Sequence, residues 1–152
     1  MAISIIQASR GDAPEILALQ KIAYQSEAQF YDDWTIPPLT QTLSQIETEF
    51  ESKVFLKAVS AKKIIGSVRA SVENDTCHVG RLIVHPDYQK KGIGTQLLLK
   101  IETFFSDSER FELFTGSGSI NNIRLYRRLG YQAYREEKLS PKVRLIFMEK
   151  RQ

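Results

Sequence analysis

The chain of 152 residues is 42% hydrophobic and 26% charged, with a formal net charge of +3 and a single cysteine, Cys77. This composition is that of an ordinary soluble domain over residues 1–152, excludes a disulfide framework, and leaves no apolar run near the ~20 residues that cross a membrane. Because the segment Met1–Ile6 is too short for a secretion signal and lacks its basic flank, we expect a cytoplasmic protein without a membrane partner.

The first third of the chain predicts one strand and two helices. Residues 2–8 alternate apolar and polar side chains, as a strand does. An aspartate, a proline and a glutamate in the order of a helix start predict that the first helix begins at Asp12. Two prolines at the end of 31–38 favour a loop there, and residues 40–52 return to helical spacing.

The remainder of the chain predicts a strand-rich region interrupted by two helices. Strands are predicted over 54–60, 64–73, 77–85, 111–115, 131–139 and 143–149, and a helix is predicted over 92–105. Because short polar links join the first three strands and the last two, we expect antiparallel hairpins there. The pattern predicts an α/β fold, a mixed sheet of about seven strands flanked by helices on both sides.

The most informative segment joins the apolar strand Leu82–Val84 to a helix opened by Gly92 and Gly94. Backbone N–H groups at the start of a helix have no intrahelical acceptor, and the helix dipole adds partial positive charge there. A glycine allows an anion to approach the main chain closely. The segment therefore predicts a phosphate-binding helix start.

Two familiar phosphate-binding motifs do not fit this segment. A nucleoside-triphosphatase loop needs a lysine before Ser or Thr, whereas Thr95 follows Gly94 directly. A dinucleotide fingerprint needs a third glycine where this chain has Leu97. The pattern that remains is Gln-x-x-Gly-x-Gly, which begins at Gln89.

A second segment, 121–131, has Ile123, Tyr126 and Leu129 at helical spacing, followed by Gly130 at the helix end. Together with the Gln-x-x-Gly-x-Gly pattern, this segment resembles the GNAT superfamily of acetyl-CoA-dependent N-acetyltransferases. The resemblance extends over essentially the whole chain. It implies that acetyl-CoA is the co-substrate, and that two central strands splay apart around its pantetheine arm.

The resemblance also implies which residues contact the coenzyme. Main-chain atoms of Leu82, Ile83 and Val84 are expected to pair with the pantetheine arm like an added strand. The pyrophosphate is expected on the loop and helix start, which consist of Gln89, Lys90, Lys91, Gly92, Ile93, Gly94 and Thr95.

One further coenzyme contact is expected from an asparagine ahead of Tyr126. The position seven residues before the tyrosine, often Asn in the family, is Ser119 here. Ser119, Asn121 and Asn122 therefore all stay open for this role, and Asn121 is equally well placed to cap the helix.

Acetyl transfer to an amine needs a neutral amine, a stabilised oxyanion and a proton for the departing thiolate. The resemblance assigns the proton to Tyr126, whose phenol is protonated at neutral pH, and the oxyanion contact to the Val84 N–H. His78 and Glu73 are the candidate bases, unless the amine arrives neutral or water removes its proton. Since Cys77 has no base placed beside it in the sequence, we expect direct transfer in a ternary complex.

The acceptor is expected to be a primary amine of a small molecule or peptide. The resemblance implies that the acceptor is selected in a region with aromatic and acidic side chains, which suit a cationic amine; they are Tyr24, Phe30, Tyr31, Asp32, Asp33 and Trp34. A non-catalytic acyl-CoA-binding regulatory module and a protein N-acetyltransferase are the alternatives. One cysteine and two histidines make no metal-ligand set, a broad basic face for nucleic acid is lacking, and a homodimer is plausible by resemblance.

Overall fold

Seven strands form one sheet in the computed structural model, which describes residues 2–152. In chain order the strands are β1 Ser4–Gln7, β2 Val54–Ser60, β3 Lys63–Glu73, β4 Thr76–Val84, β5 Arg110–Gly116, β6 Gln132–Ser140 and β7 Val143–Arg151. Their order across the sheet is β1-β2-β3-β4-β5-β7-β6. The predicted mixed sheet of about seven strands is confirmed.

The helices lie on both faces of this sheet. They are α1 Ala13–Ala23, α2 Gln25–Tyr31, α3 Pro37–Thr40, α4 Leu43–Glu49, α5 Ile93–Thr103 and α6 Ile120–Arg128. Adjacent residues of β2 pack on opposite faces of the sheet. Leu56 packs in the cluster with α5 and α6, whereas Phe55 packs with α1 and α4. This alternation follows from the two-residue period of a strand.

Antiparallel hairpins build most of the sheet, as the short links predict. The turns after β2 and β3 place 61–62 and 74–75 at positive φ, which is the geometry of tight two-residue hairpins. The predicted boundaries of these strands agree with the structure to within one residue.

The exception in the sheet is the parallel pair β4 and β5. Their pairing covers only the positions of Thr76, Cys77 and His78, opposite 110–112. Both strands continue beyond this point without pairing to each other. The strands therefore splay apart towards Val84 and Gly116, and the gap between them is where the cavities of the molecule form.

The first helix starts where the sequence predicts, but its first side chains do not make the hydrogen bonds of a helix cap. Asp12 is the N-cap residue of α1, but its side chain accepts hydrogen bonds from Ser9 N (2.9 Å) and Lys57 Nζ (3.0 Å). The Glu15 carboxylate accepts from the backbone N–H of Ile64 at 2.8 Å, which ties α1 to β3. These side chains serve tertiary contacts instead of the helix end.

The predicted loop and second helix also change at their boundaries. A proline is compatible with the first turn of a helix because its missing N–H would be unpaired there. The short helix α3 accordingly begins at Pro37, within the predicted loop. The next helix, α4, starts after Thr42, whose hydroxyl accepts from Gln45 N at 3.2 Å, so it is shorter than the predicted 40–52.

Candidate active site

Two adjacent cavities occupy the gap between β4 and β5. The first is a pocket of about 200 Å³ between β4, β5, α2 and the start of β7, here called the closed cavity. The second is an open groove of about 700 Å³ between the ends of β4, α5 and α6, here called the groove. The residues that line both are Tyr24, Glu27, Tyr31, Leu82 and Asn122. These shared residues mark the junction of the two cavities.

The groove gathers almost all of the residues predicted to contact the coenzyme. Its walls include Leu82, Ile83, Val84, Gln89, Lys90, Gly92, Ile93, Gly94, Thr95, Asn121 and Asn122. Lys91 is exposed and does not line the groove. The groove also has Arg124 and Arg128 from α6 along its wall, so basic side chains from two directions surround it.

The start of α5 is built to receive an anion. Gly92 caps the helix with φ of +79°, and no heavy atom lies within 4 Å of the position that a Cβ would take. The space beside Gly92 is therefore open for a ligand. Gly94 also lines the groove, and a Cβ there would make only an ordinary contact, 3.5 Å from Leu125 Cδ2.

The backbone of β4 turns polar groups that do not pair with β3 towards the groove. His85 N–H donates to Ile65 O at 2.8 Å, so the peptide groups of Val84, one residue earlier, point away from β3. The amide of Gln89 donates to Val84 O at 3.4 Å. An extended amide chain would find strand-like partners on this edge, and the open helix start with its basic side chains suits a pyrophosphate. The residues thus fit coenzyme A.

Tyr126 lies in the wall of the closed cavity, with only 5% of its surface exposed. Burial, and then the nearby Tyr24 and Glu27, raise the pKa of its phenol well above the usual value, so the hydroxyl is protonated at neutral pH. The end of its helix is fixed by Tyr131 N–H donating to Tyr126 O (3.0 Å) and by Gly130 at φ of +99°.

The two predicted bases do not reach the site. His78 is exposed on β4, between the buried Cys77 and Val79, and so it faces away from the core. Glu73 is exposed at the end of β3. Neither residue lines the closed cavity or the groove, and the geometry therefore does not support a role for either as the base.

The carboxylate at the junction of the cavities is that of Glu27, which sequence reasoning missed. It lies on α2, and its Oε1 accepts a hydrogen bond from Ser119 Oγ at 2.6 Å. Its segment, Gln25–Gln29, is polar apart from Ala28 and contains no motif that separates Glu27 from an ordinary solvated helix face. Only the fold brings it beside Tyr126.

The structure separates the three candidates for the coenzyme contact ahead of Tyr126. Ser119 is the N-cap residue of α6, so Asn121 lies inside the helix and does not cap it. Asn122 lines both cavities, and its amide donates to Thr115 Oγ1 at 3.4 Å. Asn121 is exposed and lines the groove.

The acidic loop predicted to receive a cationic acceptor lies outside the closed cavity. Asp33 accepts hydrogen bonds from Thr35 N (2.9 Å) and Thr35 Oγ1 (2.6 Å), which form a turn within the loop. Asp32 lies 3.6 Å from Lys142 Nζ on the closing hairpin. Trp34 is also absent from the residues that line the cavity. Tyr24 and Tyr31 are the aromatic residues that contribute to it from this part of the chain.

Within residues 2–152, no helix has the length and apolar character needed to span a membrane.

Comparison with known proteins identifies the family. Residues 18–131 match the family model described as Acetyltransferase (GNAT) family. The UPF0157 protein YqkA of Bacillus subtilis (strain 168) is 32% identical over 120 residues, covering 79% of this chain and 34% of that protein. The chain thus spans about a third of the length of this relative.

Solved structures agree with the fold. The PaiA N-acetyltransferase of Thermoplasma acidophilum, in complex with coenzyme A, has a TM-score of 0.81 at 18% identity, with 100% of both chains covered. The ribosomal-protein-S18-alanine N-acetyltransferase of Escherichia coli has a TM-score of 0.81 at 16% identity, covering 99% of this chain and 94% of that one. Because the matched region contains both the Gln-x-x-Gly-x-Gly segment and the helix with Tyr126, the chain belongs to the GNAT acetyltransferase family.

Proposed function

We propose that residues 1–152 act as one acetyl-CoA-dependent N-acetyltransferase domain that acetylates a primary amine by direct transfer in a ternary complex. The observation that carries this proposal is the meeting of a coenzyme-sized groove with a closed cavity, with Tyr126 and Glu27 at or beside their junction. Such a junction brings two substrates together in one orientation, which removes most of the entropic cost of their encounter.

The groove is the proposed binding site of acetyl-CoA, which supplies an activated thioester when bound. The N-terminus of α5 and the side chains of Lys90, Arg124 and Arg128 surround the place proposed for its phosphates. The free edge of β4 at Val84 orients the amide-containing arm, and the Val84 N–H polarises the thioester carbonyl.

Two side chains handle the protons of the transfer. The amine nitrogen attacks the acyl carbon, a C–N bond forms and the C–S bond breaks. The Tyr126 hydroxyl donates its proton to the departing sulfur. Glu27 accepts the proton that the amine loses, and the hydrogen bond from Ser119 holds this carboxylate at the junction.

Covalent catalysis through the single cysteine is not part of this proposal. Cys77 is fully buried in the core, where desolvation raises the pKa of its thiol to about 12. A thiol with this pKa is almost entirely protonated at neutral pH and is a poor nucleophile. The amine is therefore acetylated directly.

The test is thiol release from acetyl-CoA with a panel of primary amines, for the wild-type protein and the Tyr126→Phe variant. We expect wild-type turnover and a decrease in kcat of about a hundredfold in the variant, since positioned proton donors contribute ~10²–10⁴-fold. Calorimetry should give a similar affinity of both proteins for coenzyme A, because Tyr126 does not line the groove and meets the coenzyme only at its sulfur.

Tyr134→Phe is the matched control. Its ring lies on β6, away from both cavities, and 41% of it is exposed. This variant should keep the wild-type kcat. Tight coenzyme binding without turnover on any amine would contradict the proposal and favour a non-catalytic acyl-CoA-binding module.

A further inference from the structure

We propose that the acceptor amine also carries a carboxylate, and that Arg81 and Arg69 bind this carboxylate in the part of the closed cavity that lies away from the groove. Both arginines line the closed cavity and neither lines the groove. This inference rests on the proposed acetyltransferase function and adds the chemical class of its acceptor.

Arg81 occupies an unusual backbone position. Arg69 of β3 is opposite Gly80 and Ser67 is opposite Ile83, so Arg81 and Leu82 together face one residue of β3. This is a β-bulge, in which an extra residue re-aims the strand. The φ of Arg81 is +49°, a region that side chains other than glycine enter at a cost. Despite this cost, β4 keeps the conformation, and the Arg81 side chain lines the closed cavity.

The guanidinium of Arg81 has unused hydrogen-bonding capacity. Its Nε is buried and makes no hydrogen bond with any described residue. No carboxylate of residues 2–152 lies within 4 Å of its nitrogens. A buried donor without a partner is costly, because it has lost its hydration and gained nothing. A ligand carboxylate would remove this cost, and a guanidinium binds a carboxylate through two parallel hydrogen bonds.

Arg69 lies beside Arg81. Its Nε lies 3.8 Å from the position that a Cβ on Gly80 would occupy, so its side chain crosses the strand next to the bulge. Burial, and then repulsion by Arg81, lower the pKa of Arg69 below its usual value. Burial, and then the charges of Arg69 and Arg81, lower the pKa of Lys53, which Glu49 partly offsets. Positive charge therefore accumulates at this side of the cavity.

Carboxylates compensate only part of this charge. Glu49 forms an ion pair with Arg69, and its Oε1 also accepts from Gln41 Nε2 at 2.7 Å. Gln41 in turn accepts from the buried Gln20 at 2.9 Å. This network holds the Arg69 guanidinium in place before any ligand binds, and such preorganisation lowers the cost of binding. The other carboxylate of the cavity, Glu27, lies at the junction with the groove.

The charges thus define an orientation for the acceptor. Burial raises the pKa of Tyr24, the positive charge of Arg81 lowers it and the negative charge of Glu27 raises it, so both charges act on this cavity-lining residue. An amine that binds through its carboxylate at Arg81 would direct its nitrogen towards Glu27 and Tyr126. The amine end then meets the thioester, while the carboxylate end stays in the arginine-lined part of the cavity.

The first experiment compares matched acceptors. Initial rates of thiol release are measured for ω-amino acids from glycine upward, for the corresponding uncharged amides, and for simple alkylamines. We expect kcat/KM for at least one amino acid to exceed that for its amide by about tenfold or more, since a charged hydrogen-bonded pair contributes on this scale. Aminoalkylphosphonates, tested in parallel, distinguish a carboxylate from an anion of another kind.

The second experiment removes the guanidinium in two ways. Arg81→Gly abolishes it and relieves the positive φ, so this variant should be at least as thermally stable as the wild type. Arg81→Gln keeps a long polar side chain. Both should lose the preference for amino acids over amides, and both should keep the wild-type affinity for coenzyme A because Arg81 does not line the groove. Arg151→Gln, at the end of β7 and outside both cavities, is the matched control.

A readout independent of turnover completes the test. Calorimetry with N-acetylglycine and N-acetylglycinamide should show tighter binding of the acid, and Arg81→Gly should abolish the difference. Equal kcat/KM for acids and amides in the wild type would overturn the inference and leave the acetyltransferase function intact. Absence of turnover with every amine would instead contradict the proposed function.

Discussion

Glu27 and Tyr126 approach the junction of the two cavities from different helices, and the charge of Glu27 acts on Tyr126. The charge of Glu27 is among the causes that raise the pKa of Tyr126, so the carboxylate helps to keep the phenol protonated. The same carboxylate is held by Ser119 Oγ. Glu27 thus helps to keep the acid Tyr126 protonated, and it is itself placed to accept the proton of the amine.

Glu27→Gln should lower kcat by about a hundredfold at neutral pH, because the amide cannot accept the amine proton. The loss should shrink as the pH rises towards the pKa of the amine, since an amine that arrives neutral needs no base. The pH profile of kcat/KM for one amine, measured for wild type and variant, tests this.

Ser119→Ala is the control for position. It removes the hydrogen bond to Glu27 and keeps the carboxylate, so it should cost much less than Glu27→Gln and retain the wild-type pH profile. A Glu27→Gln variant with full activity at neutral pH would show that water or another group accepts the proton.

At the scale of elements, α2 is fastened to the segment that follows β5. The N–H of Gly118 donates to the Tyr31 hydroxyl at 2.8 Å, and Ser119 bonds to Glu27 on the same helix. The ring of Tyr31 lies directly over Gly116, where a Cβ would overlap its hydroxyl. The helix can reach this position only because the strand ends in a residue without a side chain.

Gly116→Ala should displace Tyr31 and move α2 together with Glu27. Overpacking of this kind costs about 1–3 kcal/mol of stability, and a small shift of a catalytic group lowers the rate strongly. We expect a lower Tm and a reduced kcat, and a weaker affinity for coenzyme A as well, because α2 also lines the groove. Thermal denaturation and steady-state kinetics measure these effects.

Gly11→Ala is the matched control for this substitution. Gly11 lies in an exposed turn, where the nearest heavy atom to an added Cβ is Ser9 Oγ at 3.9 Å. It should leave kcat unchanged. If Gly116→Ala behaved in the same way, Tyr31 would swing aside freely and the position of α2 would not depend on this contact.

Elements with a strong local pattern were predictable, and their tertiary roles were not. Strand 54–60 was predicted with its observed limits because a short apolar stretch ends at a polar link to the next strand. The alternation of side chains along a strand excludes His78 from the site, since its buried neighbours fix its direction. Glu27 meets Ser119 across 92 positions of sequence, a contact that local spacing cannot reveal. The positive φ of Arg81 arises from strand pairing, which is also non-local.

At the scale of the whole molecule, the site depends on an interruption of the sheet. Three residue pairs join β4 to β5, and the rest of each strand is left to line cavities. The helices α5 and α6 line the groove, and α2 lines both the groove and the closed cavity. The sequence indicates the groove because glycines and a helix start are local signals. The closed cavity combines side chains from most of the chain, and so it became visible only in the fold.

A buried thiol lies where β4 and β5 pair, and it should make the stability of the fold depend on pH in the alkaline range. Cys77 is buried there, and desolvation followed by the charge of Glu102 raises its pKa from 9.0 to about 12. A raised folded-state pKa means that the neutral thiol is favoured in the native protein. This contribution is complete below pH 9 and is lost as the pH rises from 9 towards 12, by at most about 1.4 kcal/mol per pH unit.

Cys77→Ala removes this titration. The variant should be less stable than the wild type at pH 7, because it leaves a small void in the core. Between pH 9 and 11 its stability should fall less steeply, so the two unfolding curves approach each other as the pH rises. Buried tyrosines with raised pKa values, such as Tyr126 and Tyr131, titrate in both proteins and cancel in the difference. Urea denaturation at a series of pH values gives this comparison, and parallel curves across the whole range would show that the thiol is not desolvated in the native state.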